Sequence, residues 1–315
     1  MNIQLRSMMI ALFAVGIATA QRVAVLEIDV ANAVVYRYDV ADADKRAVSA
    51  TPVPVTIDRA FFDYCLVEDI VAINGRTAKG LHMTCATRMG FSPAPRPGFG
   101  IADTVINQGR QQCNWELLSA DGRFVGRLVD GGFFPHAVLG GAGAYFGLTG
   151  EHVSTGTSRS TSVAEDPSMR RINGGGSGKA TFYVVPRFWP EIVSQPEGPA
   201  VFHGAGFDQV SNAKLARAGE LLVMKAKGLG PTLPLLIPPG VKPFAAEAPF
   251  EEVNAPVEVT INGIPAEVVS KIGWPGTLDT YRVDFRVPAG VPAGQAVVRL
   301  TSAWISSEEI QIRIE

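Results

Sequence analysis

Charge is scarce in this chain. Of 315 residues only 18% are charged, the formal net charge is −2, and no basic run exceeds two residues. That balance excludes the clustered Lys and Arg of a nucleic-acid footprint, and equally a patch for an anionic membrane surface. Histidine is rarer still, with four in all, and His82, His136 and His152 form no H-x-x-x-H or H-x-H spacing. The three cysteines form no CxxC pair. A metal site of familiar spacing is therefore not expected, and neither a metal nor another cofactor is assigned. Convincing helical periodicity is missing, as are a P-loop Lys-Ser or Lys-Thr and a G-x-S-x-G elbow. Beyond the first twenty residues no apolar run is long enough to span a membrane.

What is present is glycine, proline and strand-forming sequence. There are 33 glycines and 22 prolines, and 47% of residues are hydrophobic. Residues 1–20 carry one positive charge in "MNIQLR", then an apolar core, then "ATA" ending at Ala20. This is the pattern of a secretory signal peptide cleaved before Gln21. The expected location is outside the cytoplasm: extracellular or periplasmic, with attachment to the cell surface an option. Runs such as "RVAVLEIDV", "FFDYCLVEDIVAI", "GLHMTCATRM" and "ATFYVVP" alternate between turn residues as strands do. Residues 154–178 are polar and glycine-rich and read as a long loop.

One hairpin has a countable register. In "CNWELLSADGRFVGRLVD" the Asp121-Gly122 pair suits a two-residue turn. Counting outward places Ala120 opposite Arg123, Glu116 opposite Arg127, Trp115 opposite Leu128 and Cys113 opposite Asp130. One face then carries Cys113, Trp115, Leu117, Phe124, Leu128 and Asp130, and it is assigned to the interior as the ligand-binding face. Gly126 opposite Leu117 is expected to leave room beside Trp115. The other face holds a Glu116–Arg127 ion pair in solvent. Asp130 either caps the turn at "VDGG" or points inward, where it could polarise a ligand or act as a general acid. Cys65 and Cys85 lie on neighbouring runs and are the pair expected if a disulfide forms; otherwise all three cysteines are buried thiols.

The glycine stretch "GGAGAYFG" (140–147) gives G-x-G-x-x-x-G with no helix after it, so it is no phosphate loop. Glycines there let a sheet bend and let chains approach closely. With "GFGIADTV" and the hairpin before it, "VLGGAGAYFGLTG" (Val138 to Gly150) resembles the signature of the allene oxide cyclase/dirigent barrel superfamily. The resemblance covers roughly residues 22 to 188. It implies an eight-stranded antiparallel barrel with a central cavity, often trimeric through the barrel, and cofactor-free activities on lipids or phenolics. Asp103 sits where dirigent-like chains carry an acid; a loop turn is the alternative.

From Pro190 the style changes. "ARAGELLVMKAKGLGPT", "APVEVTINGIPAEV" and "WPGTLDTYRVDFRVPAGVPAGQAVVRL" together resemble the Solibacter-type C-terminal domain, a β-sandwich module of exported acidobacterial proteins. The Asn262-Gly263 pair marks a hairpin. The expected organisation is a signal peptide (1–20), a barrel (21–189) and an immunoglobulin-like domain (190–315), with 21–189 and 195–315 folding separately. The fold class is all-β: an eight-stranded antiparallel β-barrel followed by an immunoglobulin-like β-sandwich. Two functions follow. One is binding of a small apolar ligand in the barrel, with the sandwich as accessory module. The alternative is a cofactor-free cyclase or dirigent-like enzyme acting on a lipid or phenolic.

Overall fold

The computed structural model describes residues 22–38, 59–91, 110–132, 135–160, 169, 172–234 and 236–315. The signal-peptide region, Asp103 and the "GFGIADTV" segment lie outside the described residues. Among the described residues there is no α-helix, and no helix long and apolar enough to cross a membrane.

Eight strands close into an antiparallel barrel: β1 (Ala24–Tyr38), β2 (Arg59–Ile73), β3 (Arg76–Phe91), β4 (Arg110–Leu118), β5 (Phe124–Gly131), β6 (His136–Gly143), β7 (Thr149–Gly156) and, after a two-residue β8 (Arg159–Ser160) lying parallel to β1, β9 (Gly176–Val185). Neighbours in sequence pair from β2 to β7, β7 pairs with β9, and β1 closes the ring between β9 and β2. Closure leaves no free edge, which is how such sheets escape edge-to-edge association. Alternation does the rest. In β4, Cys113, Trp115 and Leu117 are buried while Asn114 and Glu116 are half-exposed; in β3, His82 and Thr84 are buried between exposed Leu81 and Met83. Cys65 faces Cys85 across β2 and β3 and is joined to it by a disulfide; Cys113 is a buried free thiol.

The β4–β5 register runs Cys113↔Asp130, Trp115↔Leu128, Glu116↔Arg127 and Leu117↔Gly126. The connection differs from the expected two-residue turn. Ser119, not Ala120, pairs with Arg123: Ser119 N donates to Arg123 O at 2.9 Å, and the loop Ala120–Gly122 closes with Gly122 at φ +88°. A bulge between Leu117 and Leu118 absorbs the extra loop residue, so the pairs beyond it are unchanged. Only the residues inside the bulge move: Phe124 is half-exposed opposite Leu118, and Val125 is fully buried.

The glycine stretch builds the β6–β7 corner. A Cβ at Gly126 would lie 2.6 Å from Ala142 O and 2.7 Å from Tyr145 Cδ2, and one at Gly141 would lie 2.4 Å from Tyr145 O. The glycines admit the buried Tyr145 ring, which folds back over the sheet. The space expected from Gly126 opposite Leu117 is therefore filled by the chain's own aromatic residue.

The C-terminal part is a curled nine-stranded sheet. Its main path is β10 (Glu191–Ile192), β14 (Leu221–Lys227), β17 (Thr280–Arg286), β16 (Ile264–Gly273), β15 (Val257–Ile261), β18 (Gly294–Ser302) and β19 (Ile305–Ser306). Strand β13 (Val201–His203) pairs with β14, and β20 (Ile310–Ile314) with β18, while β11 (Ser194–Gln195) and β12 (Gly198–Pro199) form a separate ribbon. Asn262 and Gly263 take φ of 50° and 78° between Ile261 and Ile264, the two-residue turn expected there. Buried residues of barrel and curled sheet form one contiguous cluster. Tyr145 Oη donates to Ala303 O at 3.2 Å, Asn254 Nδ2 donates to Phe124 O, and Arg22 pairs with Glu308 at 2.8 Å.

Candidate functional site: a histidine-lined cavity in the barrel

Inward-facing side chains align in rows across the strands. Glu68 lies opposite His82, His82 opposite Trp115, and Trp115 opposite Leu128. One step along the strands, Thr84 lies opposite Cys113, and Cys113 opposite Asp130. Further round, His136 lies opposite His152, and His152 opposite Phe182. Three of the four histidines thus meet inside one barrel although 54 and 16 positions separate them along the chain.

Their contacts form two connected sets. In the first, Glu68 Oε2 is 2.5 Å from His82 Nδ1, His82 Nε2 is 2.6 Å from Thr84 Oγ1, and Thr84 Oγ1 is 3.0 Å from Cys113 Sγ. This is a continuous relay whose direction is set by the His82 tautomer. The His82 ring lies flat on Trp115, centroids 3.6 Å apart. In the second set Asp130, fully buried, accepts from Trp115 Nε1–H at 2.7 Å and has His136 Nδ1 at 2.9 Å. His136 Nδ1 is also 3.4 Å from Cys113 Sγ, which joins the two sets.

Burial works against each charge here. It lowers the pKa of His82, against the opposing pull of Glu68. It pushes the Cys113 thiol up, with the Asp130 charge adding to the effect. Burial also acts to raise Asp130, but the hydrogen bond from His136 and the nearby His152 imidazole outweigh it and hold the carboxyl well below the usual carboxylate range. Asp130 is thus an inward carboxylate fixed by donors, and it does not cap the β5 turn.

His152 is different. It is 1% exposed, and its Nδ1 sits 3.2 Å from Asp130 Oδ1 but off the hydrogen-bond axis; neither ring nitrogen has a hydrogen-bond partner. A buried polar group left in that state costs about 1–3 kcal/mol. The ring is held by packing, stacked on Phe182 at 4.6 Å and edge-on to Trp115 at 5.3 Å.

These groups border a cavity of about 350 Å³. Its wall mixes Val30, Leu66, Ala180 and Trp115 with Glu68, His82, Thr84, His136 and His152, and residues 154–158 with Lys179 complete the lining. Of the six ligand-facing residues expected from sequence, Trp115 lines the cavity. Cys113 and Asp130 lie behind it within the hydrogen-bonded network, Leu117 and Leu128 pack in the core, and Phe124 is turned off this face by the β5 bulge. Glu68, His82, Thr84, His136 and His152 had no spacing to reveal them. The available signal was parity: pairing β3 with β4 puts His82 on the Trp115 face at once.

No family model matches the chain, and no curated protein matches it. Among solved structures, a polysaccharide lyase is similar at 10% identity over 92% of this chain and 39% of the lyase, with a TM-score of 0.20. The N-terminal domain of a Streptococcus gordonii adhesin is similar at 8% identity over 82% of this chain and 87% of that domain, with a TM-score of 0.16. The chain spans about two fifths of the lyase's length. A functional reading has to come from the cavity.

Proposed function

We propose that this chain binds a small molecule inside its barrel, with the C-terminal sheet serving as an immunoglobulin-like accessory module. The ligand is compact, since 350 Å³ holds one or two rings or a short acyl chain. It carries an apolar body, for the Trp115 and Val30 walls, and at least one polar group. The carrying observation is His152: a buried imidazole at the cavity wall whose nitrogens lack hydrogen-bond partners. A ligand hydroxyl or carbonyl would satisfy it and recover the desolvation cost.

The test uses 2-naphthol, a fused ring with one hydroxyl. Titration should quench or shift Trp115 emission with one-to-one stoichiometry. Ala180→Leu, which puts bulk into the cavity, and Ser154→Phe at its exposed margin should each weaken binding at least tenfold. Unchanged affinity in both, with circular dichroism confirming the fold, would remove the barrel as the binding site.

A second reading, cofactor-free acid–base catalysis on the same ligand, is favoured by the Glu68–His82–Thr84 relay. A carboxylate orienting an imidazole that faces a hydroxyl is the arrangement a general base needs. His82→Gln then abolishes turnover while 2-naphthol affinity changes less than threefold. Equal loss of both would leave binding alone.

A further inference from the structure

At the cavity wall and just behind it the two hydrogen-bonded sets meet at three groups of metal-ligating type. Cys113 Sγ, a carboxylate oxygen of Asp130 and a ring nitrogen of His136 all lie within 4.8 Å of one another, and all three residues are buried. The separations are 3.4 Å from Sγ to His136 Nδ1 and 2.9 Å from that nitrogen to Asp130 Oδ1. His152 Nδ1 is 3.2 Å from the same oxygen and makes no hydrogen bond. For a tetrahedral ion with Zn–N near 2.0–2.1 Å and Zn–S near 2.3 Å, donor-to-donor edges are about 3.3–3.6 Å. The edges from Sγ to His136 Nδ1 and from that nitrogen to Asp130 Oδ1 are within about half an ångström of that size, and a swing of the His152 ring toward Sγ and His136 completes the tetrahedron.

The surroundings match as well. Metal ligands are normally fixed by outer hydrogen bonds on their other atoms. Here Trp115 Nε1–H holds Asp130 Oδ2, leaving Oδ1 toward the histidines, and the Thr84 hydroxyl bonds Cys113 Sγ. The donor set of thiol, imidazoles and one carboxylate suits a borderline-soft divalent ion and not magnesium or calcium.

We propose that Cys113, Asp130 and His136, with His152 as fourth ligand, bind a thiophilic divalent cation of the zinc class at the floor of the barrel cavity. The cation replaces the thiol proton, which leaves to solvent as the metal–sulfur bond forms. Coordination through His152 Nδ1 leaves Nε2 for a group in the cavity, so metal and small ligand are compatible. This site does not depend on the small-molecule reading, because it is tested without any organic ligand.

The chain supplies an internal spectroscopic label. Cys65 and Cys85 are tied in the disulfide, so Cys113 is the one free thiol. Untagged full-length chain, stripped with chelator, is titrated with Co²⁺. The expected result is one equivalent bound, with a thiolate-to-cobalt charge-transfer band in the near ultraviolet and the intense visible bands of tetrahedral cobalt, displaced by Zn²⁺. Cys113→Ser should lose the charge-transfer band, and His152→Ala should weaken binding at least tenfold while retaining it. Cobalt bound without the charge-transfer band, or no binding at micromolar cobalt, overturns the proposal. If Cys113→Ser does not fold, an unchanged affinity in His152→Ala and His136→Ala overturns it equally.

Discussion

Asp130→Asn separates a buried carboxylate that organises the barrel from one that merely occupies it. The native side chain is fully buried and accepts on both oxygens, from Trp115 Nε1–H at 2.7 Å and from His136 at 2.9 Å. Asparagine has the same shape but one acceptor, so one donor must face an NH₂ group. Losing one charge-assisted hydrogen bond costs about 1.5–3 kcal/mol, and reducing the other to a neutral bond adds roughly 0.5–1 kcal/mol. The expected destabilisation is about 2–4 kcal/mol, within the range for buried polar networks broken on one side. Urea unfolding with chelator present measures it without interference from bound metal. The midpoint should fall while the slope stays constant. Glu116→Gln is the control, because Glu116 pairs with Arg127 at 2.9 Å on the solvent face and such exposed pairs contribute at most about 1 kcal/mol. An Asp130→Asn variant as stable as Glu116→Gln would refute the reasoning.

Other consequences can be checked by the same means. Replacing Cys65 and Cys85 by Ser removes a bridge closing 20 positions, and the chain-entropy relation gives a loss of about 3 kcal/mol, readable as a lower urea midpoint. Gly126→Ala should cost about 1–3 kcal/mol, because its methyl meets Ala142 O and Tyr145; Gly290→Ala, with only Ile264 Cδ1 at 3.8 Å, should change stability by less than about 0.5 kcal/mol. The pKa of His82 is lowered from 6.5 by burial, so the unfolded chain binds the extra proton first as pH falls. Stability from this group is present above 6.5 and is lost below it, down to the depressed folded value, with a slope of up to about 1.4 kcal/mol per pH unit. His82→Gln should flatten the acid limb of the stability profile, and an unchanged limb would contradict the assignment.

Much of the barrel was legible because its rules are local. Alternation placed Cys113, Trp115 and Leu117 on one face, and counting outward from Asp121-Gly122 reached the correct partners from Gly126 to Asp130. It did so through two deviations that cancel, a three-residue loop and a one-residue bulge, which is why Phe124 alone of the expected interior residues is misplaced. The cavity was not legible for the opposite reason. Its polar groups come from β2, β3, β6, β7 and β9, backed by Cys113 and Asp130 on β4 and β5, and converge only through closure of the sheet, a property that no short motif encodes. Four histidines in 315 residues gave no spacing, yet the directly opposed pair His136 and His152 needed only the β6–β7 register to emerge. Gly126 is not what makes room beside Trp115: Tyr145 occupies the space over it, because a glycine facing a large residue can equally admit a neighbour from elsewhere in the chain, and the cavity that Trp115 lines is bounded by other residues.

The central claim is that the barrel interior receives a small molecule at His152. A crystal soaked with 2-naphthol tests it most directly. The account predicts density for the fused ring inside the barrel beside Trp115, with the hydroxyl within about 3 Å of a His152 ring nitrogen. A ring found only on the outer surface, or a barrel left empty by a compound that binds elsewhere, would contradict it.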